Sequence, residues 1–441
     1  MGANLSAKKE PPIIAVCDAP VFCVKKMGTR HLLVAGGGGA AKTGVPNQIE
    51  TLLITFDPKA IRFPSAGAAT KVTNKLNTDP YATMTLDIAH IEHPVTGTYL
   101  IAAGHDQYCK LYETTGFEVD PEEFKNDPKH LGFKWREVGR LTTTDLQENA
   151  YLKVVKFDRS RPRGQRLATG STDGHIRMWE TKNIFDNRDP TLTHHPILDI
   201  AVNQSEVDDL EFSNDGSIIA SVGEGKAILW DVNSGKKLLD LPMPAPEWEK
   251  KYKVRFVRFT PYGEGRHVFV VAYNQIQRSS KSNCYVVLWA YNRERAACRP
   301  VVIKEMPKEA IASLCVSPCG DFTGVGTMEG TVAILDTNDM KTLLFKPKTH
   351  GIFVTSLEFL DRVARDLPSE STQQNGAHPA AQPILPGPSA ACRASLISLS
   401  ADKTVQLHQL PFPESPSLSS ALFWTALFLL LIQFFVAYFI L

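Results

Sequence analysis

Residues 152–180, LKVVKFDRSRPRGQRLATGSTDGHIRMWE, contain three short apolar runs that are separated by turn residues. The first run is LKVVKF, and the other two lie within RLATGSTDGHIRMWE on either side of Asp173-Gly174. An Asp-Gly pair between two such runs is a strong signal for a β-hairpin. The segment therefore predicts a small antiparallel sheet whose third strand ends near Trp179.

The same pattern recurs along the chain with a spacing of about 40 to 60 residues, close to the period of a propeller blade. Clear copies occupy residues 207–231, 254–289 and 311–336, and fainter copies occupy residues 84–112 and 353–410. Together with a first unit around residues 32–47, the repeats number about seven. A single unit has too little core to be stable alone, so the units should stack in a ring.

These repeats predict an all-β fold, a seven-bladed WD-repeat-type β-propeller over residues 11–410, after a flexible leader at residues 1–10. Residues 13–16 are expected to add the outer strand that closes the last blade. Two insertions are predicted. Residues 113–141 should form an ordered excursion between blades, and residues 362–393, rich in Pro, Ser, Gln and Ala, should be disordered within the last blade.

The chain ends in residues 421–441, ALFWTALFLLLIQFFVAYFIL, which contain no charged side chain. A bilayer core requires about 20 apolar residues in a helix. We therefore predict a single C-terminal transmembrane helix, a tail anchor, with residues 411–420 as its tether. At the other end, Met1-Gly2 begins a stretch that fits the N-myristoylation pattern, although a coincidental match in a flexible leader is an open alternative.

The compartment of the propeller follows from two features. No apolar signal segment precedes the repeats, so nothing directs them across a membrane. The eight cysteines are scattered without a dense framework, which is typical of a reducing compartment. The propeller is expected to face the cytosol.

Composition and motifs exclude several function classes. The formal net charge of +1 provides no basic surface for nucleic acid. The pairs His90/His93 and His194-His195 lack further zinc ligands at a usable spacing. No Ser-His-Asp arrangement has the context of a hydrolase, and we expect no small-molecule substrate and no covalent chemistry.

Residues 32–47, LLVAGGGGAAKTGVPN, contain four consecutive glycines after an apolar run. The run almost matches the phosphate-binding pattern G-x-x-x-x-G-K-[ST], but Ala41 stands where the second glycine belongs. Gly44, Val45 and Pro46 are also a poor start for the helix that would hold a phosphate. Glycine permits unusual dihedral angles at a cost in entropy, so this loop needs another explanation.

The run AGGGGAAKTGVPN (residues 35–47) closely resembles the family of prolactin regulatory element-binding protein. Further matching segments are LATGSTDGHIRMW (167–179), GVGTMEGTVAI (324–334) and HGIFVTSLEFL (350–360). The resemblance implies a guanine nucleotide exchange factor at the endoplasmic reticulum membrane. Its partner would be the Sar-type small GTPase that starts COPII coat assembly. A non-catalytic, membrane-anchored scaffold that recruits coat or cargo proteins is the alternative.

The resemblance also implies the site. Its loop would bind a potassium ion through main-chain carbonyls, and the corresponding residues here are Gly36, Gly37, Gly38, Gly39, Ala40 and Gly44. The side chains implied to contact the GTPase are Lys42, Thr43, Val45 and Asn47. Carbonyl oxygens are ligands that suit a weakly hydrated cation. A flexible loop without an ion is the alternative.

Overall fold

Four-stranded antiparallel sheets follow one another around a central channel in the computed structural model. The structure describes residues 10–41, 44–55, 69–92, 96–118, 131–144, 150–182, 184, 194–202, 204–261, 267–277, 283–364, 385–413 and 418–440. Over these residues there are seven such sheets, and the innermost strand of each packs against those of its two neighbours. The predicted seven-bladed propeller is confirmed.

The first three blades are regular, and their strands run in chain order from the channel outward. Blade one contains β2 (Val21–Met27), β3 (His31–Gly36), β4 (Gln48–Thr55) and β5 (Ala69–Asn77). Blade two contains β6 (Thr85–His90), β7 (Thr98–Gly104), β8 (Tyr108–Glu118) and β9 (Gly132–Thr142). Blade three contains β10 (Leu152–Phe157), β11 (Arg166–Ser171), β12 (His175–Glu180) and β13 (Leu198–Ala201).

The next three blades repeat this order. Blade four contains β14 (Asp209–Phe212), β15 (Ile218–Gly223), β16 (Lys226–Asp231) and β17 (Lys237–Asp240). Blade five contains β18 (Tyr252–Phe259), β19 (His267–Gln275), β20 (Cys284–Asn292) and β21 (Ala297–Met306). Blade six contains β22 (Ile311–Val316), β23 (Phe322–Thr327), β24 (Val332–Asp336) and β25 (Thr342–Lys346).

Blade seven joins the two ends of the propeller. It contains β26 (Val354–Phe359), β29 (Ala394–Ser400) and β30 (Thr404–Leu410), and its outer strand is β1 (Ile13–Val16) from the start of the chain. Strand β1 pairs antiparallel with β30, and Val16 lies opposite Thr404. The predicted closing strand is confirmed, and it ties the first described residues to the last repeat.

The hydrophobic core lies between the blades. Each cluster of buried side chains is shared by two adjacent sheets, as where Phe269 and Trp289 of blade five pack against Ile218 and Leu229 of blade four. Seven such clusters, counted over the described residues, complete the ring. Every blade therefore stabilises its neighbours, which is why a single repeat is too small to fold alone.

The predicted excursion at residues 113–141 is wrong for its described ends. Residues 113–118 and 132–141 form most of β8 and β9, which pair with each other as the outer hairpin of blade two. Lys134, one of the residues that suggested an insertion, is exposed on β9, the outer strand of blade two, where polar side chains are normal. Residues 119–130 lie outside the described residues.

The predicted insertion at residues 362–393 is shorter in the structure than the predicted bounds. Its two ends form a short hairpin of β27 (Val363–Ala364) and β28 (Leu385–Pro386). Residues 387–393 continue into β29, with Cys392 buried. Residues 365–384 lie outside the described residues, as do residues 1–9 of the predicted leader.

A ring of charges lines the central channel, whose volume is about 1030 Å³. Each innermost strand contributes one residue at the equivalent position, in blade order Lys25, Asp87, Lys156, Glu211, Arg258, Cys315 and Glu358. We call these seven residues the charge ring. Neighbouring charges alternate in sign around six positions, and an odd number of blades leaves one position, Cys315, uncharged.

The charge ring is held by short contacts. Lys156 Nζ lies 2.7 Å from Glu211 Oε2, and Lys25 Nζ lies 3.6 Å from Asp87 and 3.8 Å from Glu358. Burial would raise the pKa of Glu211, but Lys156 and Arg258 outweigh it and the pKa is lowered. The ring is thus a network of ionised pairs, in which the loss of one member leaves its partner's charge uncompensated.

A polar network links the strands of blade seven. The Ser398 hydroxyl lies 2.7 Å from His350 Nε2 and 2.8 Å from His408 Nε2. The equivalent position to His408 is a tryptophan in blades three and four, where the indole N–H of Trp230 donates to Ser221 at 2.8 Å. Burial, with a smaller contribution from His350, lowers the pKa of His408 to about 3.

We expect acid to destabilise the propeller through His408. The unfolded side chain has a pKa of about 6.5 and the folded one about 3, so stability is retained above pH 6.5 and is lost progressively as the pH falls toward 3. From pH 6.5 to pH 5 this amounts to about 2 kcal/mol of unfolding free energy. Urea denaturation of the wild type and of His408→Trp at both pH values checks this. Between pH 6.5 and pH 5 the variant should lose about 2 kcal/mol less unfolding free energy than the wild type. An identical pH dependence in both proteins would contradict it.

The last residues form a second unit, Pro411–Leu441. It contains one α-helix, α1 (Leu418–Ile440), and every side chain from Phe423 to Val436 is exposed. Within the part of the chain that the structure describes, no helix reaches the length and hydropathy needed to cross a membrane.

Candidate functional site

The glycine run lies in the connection between β3 and β4 of blade one. Gly36 is the last residue of β3 and pairs with Gln48, so it belongs to the sheet and not to the loop. A Cβ atom on Gly36 would lie 1.9 Å from the carbonyl oxygen of Pro20, in the segment that enters blade one. The Gly37 N–H donates to the same oxygen at 3.0 Å. The first two glycines therefore allow two main chains to approach closely.

The following glycines supply backbone conformations that other residues avoid. Gly37, Gly39 and Gly44 have φ angles of 147°, 73° and 76°. A Cβ atom on Gly37 would also lie 2.2 Å from Asn47 Oδ1, whereas the space beside Gly39 and Gly44 is open. Gly39–Ala41 form a short 3-10 turn. The described part of the loop thus depends on glycine for two different reasons.

Asn47 lies beneath this loop and is only 3% exposed. Its Oδ1 accepts a hydrogen bond from the Gly39 N–H at 2.8 Å, and its Nδ2 lies 3.2 Å from the Gly39 carbonyl. Nδ2 also lies 2.9 Å from Asp79 Oδ1 and 3.1 Å from the Pro80 carbonyl. One buried amide therefore joins the glycine loop to the connection between blades one and two.

That connection is itself ordered. The Thr78 N–H donates to the Asn47 carbonyl at 2.9 Å, and the Thr78 hydroxyl donates to the Tyr81 carbonyl at 2.9 Å. The Asp79 N–H donates to Asn77 Oδ1 at 2.8 Å. A displacement of the glycine loop would consequently also shift residues 78–81.

A charged cluster supports the loop at the base of β4. Lys75 Nζ lies 2.6 Å from Asp18 and 3.3 Å from Glu50, and Glu50 is buried. The hydrogen bond with Asp18 is the main reason why the pKa of Lys75 is raised. Residues on three different elements are thereby held together below the loop.

The predicted contact residues occupy different positions. Val45 is half-buried and Gly44 is exposed, so this part of the loop reaches the surface, together with Ala40 and the half-buried Gly38. Asn47 was expected to face the GTPase, but its side chain is turned inward because it satisfies the polar groups of the loop. Lys42 and Thr43 lie outside the described residues. Asp79 and Tyr81 were not predicted, because an isolated Asp-Pro pair carries no recognisable motif.

The oxygen atoms around Asn47 fit the chemistry of an alkali cation. The Gly39 carbonyl, the Asp79 carboxylate and the Pro80 carbonyl all lie within 3.2 Å of Nδ2. Such oxygens are the ligands that K⁺ uses in proteins. In this structure the Asn47 amide, a hydrogen-bond donor, occupies the point where they converge.

Similarity to known proteins covers most of the chain. A family model described as "WD domain, G-beta repeat" matches residues 155–180 and 190–231. The guanine nucleotide-exchange factor SEC12 of Mus musculus is 26% identical over 411 residues, which cover 87% of this chain and 86% of that protein. The Rattus norvegicus protein of the same name is 25% identical over 419 residues. SEC12-like protein 2 of Arabidopsis thaliana is 27% identical over 236 residues, 52% of this chain and 53% of its own.

Solved structures agree with the fold. A chain in a structure of COPII on membranes, the outer coat vertex, superposes with a TM-score of 0.58 at 16% identity, covering 88% of this chain and 82% of that one. Sqt1 of Chaetomium thermophilum superposes with a TM-score of 0.53 at 14% identity, covering 91% and 98%. The family resemblance predicted from the sequence is confirmed: this chain folds as a WD-repeat propeller and is similar over 87% of its length to the SEC12 guanine nucleotide-exchange factors of mouse and rat.

Proposed function

We propose that this protein is a guanine nucleotide exchange factor for a Sar-type small GTPase and that the glycine loop is its exchange element. One observation carries the proposal. The chain resembles SEC12 exchange factors over most of its length, and its most unusual segment is a glycine loop that a buried amide joins to the connection between blades one and two. An ordered loop can press on a partner, because little conformational entropy is lost when it binds.

The proposed mechanism makes and breaks no covalent bond. A GTPase holds its nucleotide through magnesium and through switch segments that order around the phosphates. A loop that binds the nucleotide-free arrangement of those segments weakens nucleotide binding. By linkage, nucleotide weakens the binding of the loop by the same factor, so GTP rebinding releases the exchange factor.

Val45 and Gly44, with Lys42 and Thr43 beside them in sequence, are the residues that we propose to meet the GTPase. Asn47 has a different role in this proposal. It positions the loop from below through its contacts with Gly39 and Asp79. Loss of Asn47 should therefore affect exchange without removing a surface contact.

We further propose that a potassium ion stabilises the loop, held by oxygen atoms of Gly37, Gly38, Gly39, Ala40 and Gly44. When bound, the ion would supply electrostatic order to a segment rich in glycine. Replacing potassium by N-methylglucamine should lower the exchange rate by about tenfold, within the usual range of coupling energies. It should also speed tryptic cleavage after Lys42, since a loosened loop is a better protease substrate. Equal cleavage rates in the two buffers would contradict the proposal.

We also propose that residues 421–441 anchor the protein in the endoplasmic reticulum membrane, with the propeller in the cytosol. The support is the uncharged run of 21 residues, ALFWTALFLLLIQFFVAYFIL, together with the exposed apolar side chains of α1. An anchor of this kind would confine exchange to the membrane on which the coat forms. Extraction of cell membranes with alkaline carbonate tests it: the full chain should stay with the membrane, and a chain ending at residue 413 should be released.

A non-catalytic scaffold is the alternative function, and linkage distinguishes the two. An exchange factor should bind nucleotide-free GTPase at least tenfold more tightly than the GDP form, and added GTP should dissociate the complex. Calorimetric titration of both GTPase forms with the purified protein measures this. Equal affinity for the two forms would identify a scaffold.

A further inference from the structure

Three side chains form an exposed patch beside the glycine loop, on the same face of the propeller. Tyr81 lies in the connection between blades one and two, Tyr108 begins β8, and Arg140 lies on β9. The rings of Tyr81 and Tyr108 meet edge to face with centroids 5.7 Å apart. The Arg140 guanidinium lies over the Tyr108 ring at 5.0 Å. We call these three residues the aromatic patch.

The aromatic patch is mechanically tied to the glycine loop. The Asn47 amide contacts the Pro80 carbonyl at 3.1 Å, directly before Tyr81 in the chain. The Tyr81 N–H donates to the Thr78 carbonyl at 3.2 Å, and Thr78 in turn donates to the Asn47 carbonyl. The same buried amide therefore fixes the loop and the first residue of the patch.

The patch rests on a rigid base. The His105 N–H donates to the Tyr108 carbonyl at 2.9 Å, and the two rings lie 5.3 Å apart. His105 is 1% exposed, and burial lowers its pKa to about 4, so the ring is neutral at pH 7. A partner that docks on Tyr108 would meet a surface that is already ordered.

The polar groups of the patch are available to a partner. Arg140 is exposed, and no carboxylate of the described residues lies within 4.0 Å of it. Both tyrosines are half-buried, so part of each side chain is packed and part remains accessible. Tyrosine and arginine dominate the energetics of protein interfaces, because they combine large contact area with directed hydrogen bonds.

We propose that the aromatic patch is a docking site for the same GTPase, separate from the exchange loop, and that Arg140 pairs with a carboxylate of that GTPase. The inference rests on the proposed function. It assigns two roles to neighbouring surfaces: the patch supplies affinity for the GTPase in any nucleotide state, and the loop displaces the nucleotide. Continuity of the patch with the loop through Asn47 favours this occupant over an unrelated protein.

The two roles separate in exchange kinetics. We expect Tyr108→Ala and Arg140→Glu to raise the half-saturating concentration in a GDP-release assay by about tenfold, while the maximal rate stays within twofold. Tyr108→Phe should retain most of the affinity, because it keeps the ring. Raising the salt concentration should weaken the wild type but strengthen Arg140→Glu, since salt screens the attraction between opposite charges in the first and the repulsion between like charges in the second.

Arg393→Glu is the matched control. Arg393 lies over the Phe322 ring at 5.4 Å, in the same kind of cation–π pair, but it precedes β29 on the opposite face of the propeller. The half-saturating concentration of Arg393→Glu in the GDP-release assay should equal that of the wild type. Unchanged values for both Tyr108→Ala and Arg140→Glu, in a protein whose wild type accelerates GDP release, would overturn the docking site alone. A wild type that does not accelerate release would overturn the proposed function.

Discussion

Replacing Asn47 by alanine is expected to lower the maximal rate of GDP release by about 100-fold while the propeller stays folded. The buried amide makes contacts with Gly39, Asp79 and Pro80. Nδ2 has two hydrogen atoms for three acceptors, so the amide makes three hydrogen bonds at a time, and at about 1 kcal/mol each their loss should favour other loop conformations by about 3 kcal/mol. A difference of 1.4 kcal/mol is a factor of ten in population, which gives two orders of magnitude.

Stopped-flow release of a fluorescent GDP analogue measures this effect. Asn338→Ala is the control, because Asn338 is an exposed asparagine in blade six and makes no contact with the loop. It should exchange at the wild-type rate. Asn47→Asp should release GDP as slowly as Asn47→Ala, because the substitution would place a second carboxylate beside that of Asp79. A rate for Asn47→Ala within threefold of the wild type would contradict a positioning role for this side chain.

Replacing Arg258 by alanine is expected to lower the free energy of unfolding by about 3 to 5 kcal/mol. Arg258 Nη1 lies 2.6 Å from Asp209 and 3.7 Å from Glu211, and Nε donates to the Leu314 carbonyl at 3.1 Å. The side chain of Asp209 is 6% exposed, so removal of its partner leaves a charge that water cannot reach. The Asp209 carboxylate beside the charge ring would then be uncompensated.

Lys237→Ala provides the comparison in a surface pair. Lys237 Nζ lies 2.8 Å from Asp240, but the two side chains are 51% and 65% exposed. Such a pair is worth about 0 to 1 kcal/mol. Urea denaturation of the three proteins at pH 7 should separate the variants clearly. Equal destabilisation by the two substitutions would show that the buried ion pair of Arg258 contributes no more to the free energy of unfolding than the surface pair does.

The repeats could be predicted from the sequence because the strands and turns of each blade are determined by residues that are close together in the chain. The Asp173-Gly174 turn places Gly174 at a φ of 71°, as the hairpin requires, and the strands on either side pair antiparallel as expected. The closing strand was also predictable, since Ile13–Val16 is a short apolar run outside the repeats. The outer hairpin of blade two was not, because the Pro, Asp and Lys residues within residues 113–141, together with Trp135, favoured a connection over a strand.

Only part of the candidate site could be predicted from the sequence. Consecutive glycines announce an unusual backbone path, and the structure gives Gly37 and Gly39 the positive φ angles that this implies. The burial of Asn47 was hidden, because it depends on Asp79 and Pro80, which lie more than 30 positions further along the chain. Contacts between residues so distant in sequence leave no local pattern, and the aromatic patch was missed for the same reason.

The most direct test of the account is the rate of GDP release from a purified Sar-type GTPase, with and without this protein in excess. We expect release to accelerate by at least 100-fold at saturation, which corresponds to lowering the barrier by about 2.7 kcal/mol. Binding of the GTPase without any acceleration of release would contradict the account, and it would leave the propeller as a scaffold.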